Sequence, residues 1–247
     1  MRKILAAHAL ILLFIGCSSD SERGGSHENE SAVMEITPKD QAINSNGYLK
    51  YIIKKGSSTI NPNQFRWSTS TKAATIDEFG NLNPKIIGEV KVSAENYNTK
   101  EVLTTNLKIN PIENFFKEPI LTFGKNREEI KKAETRTLIS EVKDFHGHYI
   151  LTFKGENPDV EKITYAFRSV IQNSNELGLF DCSVYFRKDK ALEDKISQFY
   201  RERYLKNSGM ITDWWGYSLD YKIEVSVKLN SVASPNTYAA GYGLAGF

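Results

Sequence analysis

The chain has 247 residues, 40% of them hydrophobic and 25% charged, with 32 basic against 30 acidic side chains. That is ordinary globular composition, long enough to bury a core without disulfide staples or structural metals. It excludes wholesale disorder and a multi-span membrane protein, and the formal charge of +2 looks mildly basic.

Arg2 and Lys3 precede an apolar run from Ile4 to Gly16 that only His8 interrupts, and the run stops at Cys17-Ser18-Ser19-Asp20. Thirteen helical residues rise roughly 20 Å, short of the ~30 Å hydrocarbon core, so a cleaved export signal is expected over residues 1–16 rather than a spanning anchor. Leu13-Phe14-Ile15-Gly16-Cys17 resembles the bacterial lipoprotein signal, with small Gly16 at the cut and Phe14 where leucine is usual. The resemblance implies that Cys17 carries lipid through its thiol. Acyl burial, at ~0.8 kcal/mol per methylene, then holds the chain on a membrane.

Ser18 after the cysteine resembles an outer-membrane address, and Ser19-Asp20-Ser21-Glu22 resembles the export tag of Bacteroidota-type surface lipoproteins. Residues 17–32 contain no large apolar side chain after Cys17 and read as a flexible tether. Cleavage before Cys17 takes two of the 32 basic side chains and no acid, leaving 30 of each sign. With that balance, nothing in the composition points to nucleic acid as a partner.

Residues 33–110 carry short alternating segments, such as Val90, Val92 and Ala94 opposing Lys91 and Ser93, with Gly and Asn-Pro punctuation suited to an all-β sandwich. Tyr48 to Ile53 reads as an unusually apolar loop after Gly47. Phe65-Arg66-Trp67-Ser68-Thr69-Ser70, Ala73-Ala74-Thr75-Ile76-Asp77, Gly80-Asn81-Leu82, Gly88 and Val90 to Ala94 follow in the order of the bacterial immunoglobulin-like group 2 module, which this region resembles. The resemblance implies an Ig-like β-sandwich acting as a spacer or adhesive unit. Trp67 is expected in its core, with a sugar-stacking platform as the other reading.

Asn110-Pro111 opens a changed pattern over residues 111–247. Asn126 followed by Glu129 is a capping-box pair leading into a helix through about Thr135. Strands follow with Tyr149, Leu151 and Phe153, then Ile163, Tyr165 and Phe167, then Phe180, Cys182, Val184 and Phe186 on one face. A second helix is expected near 191–205 with a stripe of Leu192, Ile196 and Phe199, and a last strand near Tyr221 to Leu229. Grouped strands between two helices predict an α+β domain with an antiparallel sheet. Phe123-Gly124-Lys125-Asn126, Tyr149 to Phe153 and Tyr165-Ala166-Phe167 are distantly similar to the small helix-plus-meander modules of envelope lipoproteins and to the β-lactamase-inhibitor-like fold. That similarity implies protein binding and transfers no residue roles.

Cys182 is the only thiol besides Cys17, so lipidation leaves no intramolecular disulfide. Its alternating surroundings predict an inert, inward-facing side chain. Asp144, His146 and His148 fall at alternate positions around Gly147. Such a pair can supply two nitrogen ligands to zinc or copper, but Gly147 equally marks a polar hairpin tip. Trp214-Trp215-Gly216-Tyr217 is the candidate ligand-binding cluster, because grouped aromatics form sugar platforms and protein hot spots. The other reading is a loop folded over the sheet.

Gly241, Gly243 and Gly246 satisfy G-x-G-x-x-G, but no helix can follow before Phe247, so a flexible or edge-strand tail is expected instead of a phosphate cradle. Glu128-Glu129 and Glu193-Asp194 read as solvated helix faces. No nucleophile elbow, zinc-protease helix or P-loop is present, and no catalytic residue or cofactor is assigned; a carboxylate pair assembled by folding remains open. The whole reads as a lipid-anchored, outer-membrane, surface-facing binding or adhesion protein for a protein or glycan. An envelope or polysaccharide hydrolase and a structural subunit of a surface assembly are the alternatives.

Overall fold

A computed structural model of the chain describes residues 33–169, 177–206, 214–229 and 237–245; the expected signal, Cys17 and the tether lie outside the described residues. What is described is mostly β-strand with two α-helices. No helix among the described residues is long and apolar enough to cross a membrane.

The alternation in the first third yields ten strands. They are β1 (Met34–Thr37), β2 (Gln41–Asn44), β3 (Leu49–Lys50), β4 (Ile52–Lys55), β5 (Ser58–Ile60), β6 (Phe65–Thr69), β7 (Ala74–Ile76), β8 (Asn81–Pro84), β9 (Gly88–Asn96) and β10 (Val102–Asn110). They form three sheets in the orders β1-β4-β5, β3-β8-β7 and β2-β10-β9-β6. The one parallel pairing among these described strands joins β2 to β10.

The stretch expected as an apolar loop, Tyr48 to Ile53, is largely strand instead. Tyr51 and Ile53 are fully buried, because two short strands meeting there turn both side chains into the same core. Trp67 belongs to that core too, at 8% exposure, which removes the platform reading for it. Gly80 packs against its ring at φ +80°, where an added Cβ would stand 2.2 Å from the Tyr51 carbonyl oxygen. Only glycine fits that approach.

The second half builds one sheet of eight strands. The elements are α1 (Arg127–Ala133), β11 (Leu138–Lys143), β12 (Tyr149–Lys154), β13 (Val160–Ser169), β14 (Leu177–Arg187), α2 (Lys190–Arg201), β15 (Leu205–Lys206), β16 (Trp214–Tyr217), β17 (Ile223–Lys228) and β18 (Thr237–Leu244). Sheet order is β11-β12-β13-β14-β18-β17-β16-β15, antiparallel throughout. The C-terminal segment is therefore neither a flexible tail nor an edge. β18 runs between β14 and β17 in the middle of the sheet, because its alternate residues Tyr238, Ala240 and Tyr242 complete the core.

The first helix starts as its capping box predicts. Asn126 Oδ1 accepts from the Glu129 N–H at 3.0 Å while Glu129 Oε2 accepts from the Asn126 N–H at 3.0 Å, satisfying two otherwise orphaned donors. The helix ends before the expected Thr135, since Glu134 leaves helical geometry and its carboxylate takes the N–H groups of Thr135 and Arg136. Likewise α2 stops at Arg201 rather than near 205, and Leu205 and Lys206 become strand.

The apolar stripe of α2, Leu192, Ile196, Phe199 and Tyr200, is buried against one face of this sheet together with Phe116. Phe116 and Phe199 approach to 4.3 Å between ring centroids, worth about 0.5–1.5 kcal/mol beyond area burial. One side chain departs from its expected face. A register shift sets Ala166 opposite Asp181 but Phe167 opposite Leu179, so Leu179 fills the core and Phe180 is the extra residue of a bulge. Leu179 is held there on both backbone groups by the segment before α1. Its N–H donates to Lys125 and its carbonyl accepts from Gly124.

Candidate functional site

The sheet face that α2 does not cover carries the most concentrated chemistry. Along β14, β18 and β17 the core takes Cys182, Val184, Ala240, Tyr242, Val225 and Val227. The alternate residues must therefore point to the other side. Two rows cross that face in register. One runs Thr164, Ser183, Gly241, Ser226, Trp215 and the next Ala166, Asp181, Gly243, Glu224, Tyr217.

Because β18 contributes only Gly241 and Gly243 to these rows, the sheet has a trough along its middle of about 360 Å³. Its walls are Asp181, Ser183, Glu224 and Ser226, with Phe180 at one side and Trp215 at the other. A Cβ on Gly241 would stand 3.5 Å from Ser226 Oγ and 3.9 Å from Ser183 Oγ, so both hydroxyls border the floor. Trp215 and Tyr217 pack at 4.9 Å between centroids, and Tyr217 continues to Tyr221 at 5.9 Å.

Electrostatically the trough is acidic. Burial pushes the Asp181 carboxyl above its ordinary range, opposed only in part by Arg168, whose Nη2 lies 3.5 Å from Oδ2. Arg168 also covers the Phe180 ring at 4.6 Å. The arrangement can accept hydrogen bonds from a donor-rich ligand and stack on one aromatic face.

Of the expected aromatic cluster, Trp215 lines the trough and Tyr217 lies beside it on strand β16, not on a loop folded over the sheet. Trp214 begins the same strand opposite Val227, and its side chain lies outside the described residues. The floor of the trough is Gly241 and Gly243. In the sequence these glycines satisfy G-x-G-x-x-G and read as a tail, whereas their alternate spacing within a strand is the signal for a missing strip of side chains.

His146 and His148 sit at the β11–β12 hairpin tip. Asp144 Oδ1 accepts from the His146 and His148 N–H groups at 2.9 and 2.8 Å, and Asp144 Oδ2 lies 3.2 Å from His148 Nδ1. Among the described residues no group of three or more His, Cys, Asp or Glu side chains gathers as a metal site. Cys182 is fully buried beneath the trough. Burial first, then the Asp181 charge, pushes its thiol far up, which keeps it protonated.

Away from the trough, the buried Glu134 carboxylate accepts from the Tyr165 hydroxyl and pairs with Arg136, which in turn pairs with Glu156. This cluster is satisfied internally and serves packing. Protein-family models give no match to this chain, and no curated protein matches it either.

Proposed function

We propose that the protein is a lipid-anchored, outer-membrane, surface-facing binding protein that recognises a protein or glycan through the trough. In this reading lipid is carried at Cys17, residues 17–32 tether the chain, and residues 33–110 are an Ig-like spacer. Residues 111–247 are the ligand-binding α+β domain. The observation that supports it is the trough itself: Trp215 and Phe180 flank the hydroxyls of Ser183 and Ser226 and the carboxylates of Asp181 and Glu224 on a sheet face with a glycine floor. Preformed concavity with a few convergent polar groups is how ligand sites are built.

The test has two arms. Cells fed labelled palmitate should label the wild type and not Cys17→Ala, which should also leave the membrane fraction. Binding of envelope glycans and proteins should fall when Trp215 and Tyr217 are replaced by alanine in a protein that keeps its melting temperature. Unchanged binding sinks the site.

A second reading, a structural subunit of a surface assembly, draws on β11. Among the described strands it pairs only with β12 and stands at the sheet edge, with Ile139 58% and Val142 54% exposed. Open edges with apolar side chains are templates for strand addition. The hydrolase alternative draws on Asp181 and Glu224, and release of reducing ends from a bound polysaccharide is the outcome that would favour it.

A further inference from the structure

What the trough can hold follows from what its walls lack. Asp181 and Glu224 stand on either side of Gly243. At about 4.8 Å between strands, their Cα atoms are roughly 9.6 Å apart with no side chain between them. Among the described residues no lysine or arginine lines the trough, and Arg168 stands beside its Asp181 and Phe180 wall. Glu224 has no hydrogen-bond or ion-pair partner among the described residues, and Asp181 has only the long contact to Arg168. Ser183 and Ser226 add acceptors over Gly241.

An anionic ligand is repelled by such walls, and a neutral glycan leaves Glu224 without a counterion and Asp181 with only the long contact to Arg168. A cation satisfies them, and Trp215 offers it an aromatic face. The small residues Ala239, Gly241 and Gly243 leave room along β18 for an extended chain, since five residues at about 3.4 Å each span roughly 17 Å.

We propose that the trough recognises a lysine or arginine side chain of a protein partner, presented on an extended segment lying along β18. This rests on the trough being the ligand site. Burial of Asp181 fits it, because a second cation lowers the cost of keeping that carboxylate charged.

The test titrates pentalysine into the full chain in detergent by calorimetry, with Nε-acetylated pentalysine and chitopentaose as comparison ligands. Pentalysine should bind, weaken with added salt and lose binding on acetylation. Asp181→Asn with Glu224→Gln should weaken it at least tenfold, as should Gly241→Val, which fills the trough and leaves both carboxylates in place. Glu78→Gln with Glu101→Gln, which removes two exposed acids elsewhere, should leave affinity within twofold.

Both trough variants replace surface groups by close isosteres or a strand-forming residue, and an unchanged melting temperature verifies their fold. Equal loss in the Glu78 and Glu101 pair, or no loss in the Asp181 and Glu224 pair, overturns the proposal. Chitopentaose binding that Gly241→Val abolishes, with no pentalysine binding, overturns the cation and keeps the trough as the site. Pentalysine binding indifferent to Gly241→Val removes both.

Discussion

Ser45 Oγ donates a 2.7 Å hydrogen bond to Glu202 Oε1, joining residues 157 positions apart. The same carboxylate accepts from the Ile112 and Glu113 N–H groups at 3.0 Å each and from Gln198 Nε2 at 2.8 Å. The Glu202 carbonyl accepts from the Ile87 N–H at 2.6 Å. A residue just past α2 thus ties the strands of the first core to the connection at Ile112 and to the helix of the second. Although burial pushes Glu202 up, donors from Ser45, Gln198, Glu113 and Ile112 outweigh it and hold the carboxyl below its ordinary range.

Glu202→Ala is expected to destabilise the protein by about 2 kcal/mol, because it leaves several partly buried donors without an acceptor. Ser45→Ala, which removes one donor and leaves the other contacts, should cost about 1 kcal/mol. Urea unfolding midpoints at constant slope measure both. Equal costs would show that the carboxylate does not act as the shared acceptor.

Acid should weaken this joint. A carboxyl with a lowered folded pKa contributes stability above its unfolded value of roughly 4.3, and that contribution is lost as pH falls through the folded value. Wild-type unfolding free energy should therefore drop on acidification from about pH 5 toward pH 3, and the drop should be shallower in Glu202→Gln. Glu134, held low despite burial by Tyr165 and Arg136, adds its own part to the remaining slope. Parallel pH profiles for wild type and Glu202→Gln would refute the assignment.

Glycines should divide by what surrounds them. Gly241→Ala meets only hydroxyl oxygens at ordinary contact distance and should change stability by less than about 1 kcal/mol. Gly155→Ala would place a Cβ 1.7 Å from the Val160 carbonyl oxygen, and should cost on the order of 2 kcal/mol or more because backbone must move. Thermal unfolding of the two variants side by side checks the contrast. A harmless Gly155→Ala would contradict the close approach.

Cys182 should be silent to thiol reagents. In a Cys17→Ala chain it is the single thiol, fully buried with its ionisation pushed up. Ellman's reagent should detect none in the folded protein at pH 8 and one per chain in guanidinium. Rapid native labelling would mean that the sheet opens above it.

Local signals in the sequence determined much of this protein. Asn126 and Glu129 announced α1, the Leu192, Ile196 and Phe199 spacing announced α2, and period-two runs such as Ile163, Tyr165 and Phe167 announced strands, because caps and side-chain periodicity act within a few residues. Tertiary structure decided the rest. Whether Gly241 and Gly243 form a tail or a central strand depends on β14 and β17 taking them as a partner. The bulge that exchanges Phe180 for Leu179 depends on the backbone of Gly124 and Lys125. The trough exists only where four strands set Asp181, Ser183, Glu224, Ser226 and Trp215 in register around two missing side chains. Such cross-strand neighbours are far apart in the chain, so no local pattern could have brought them together.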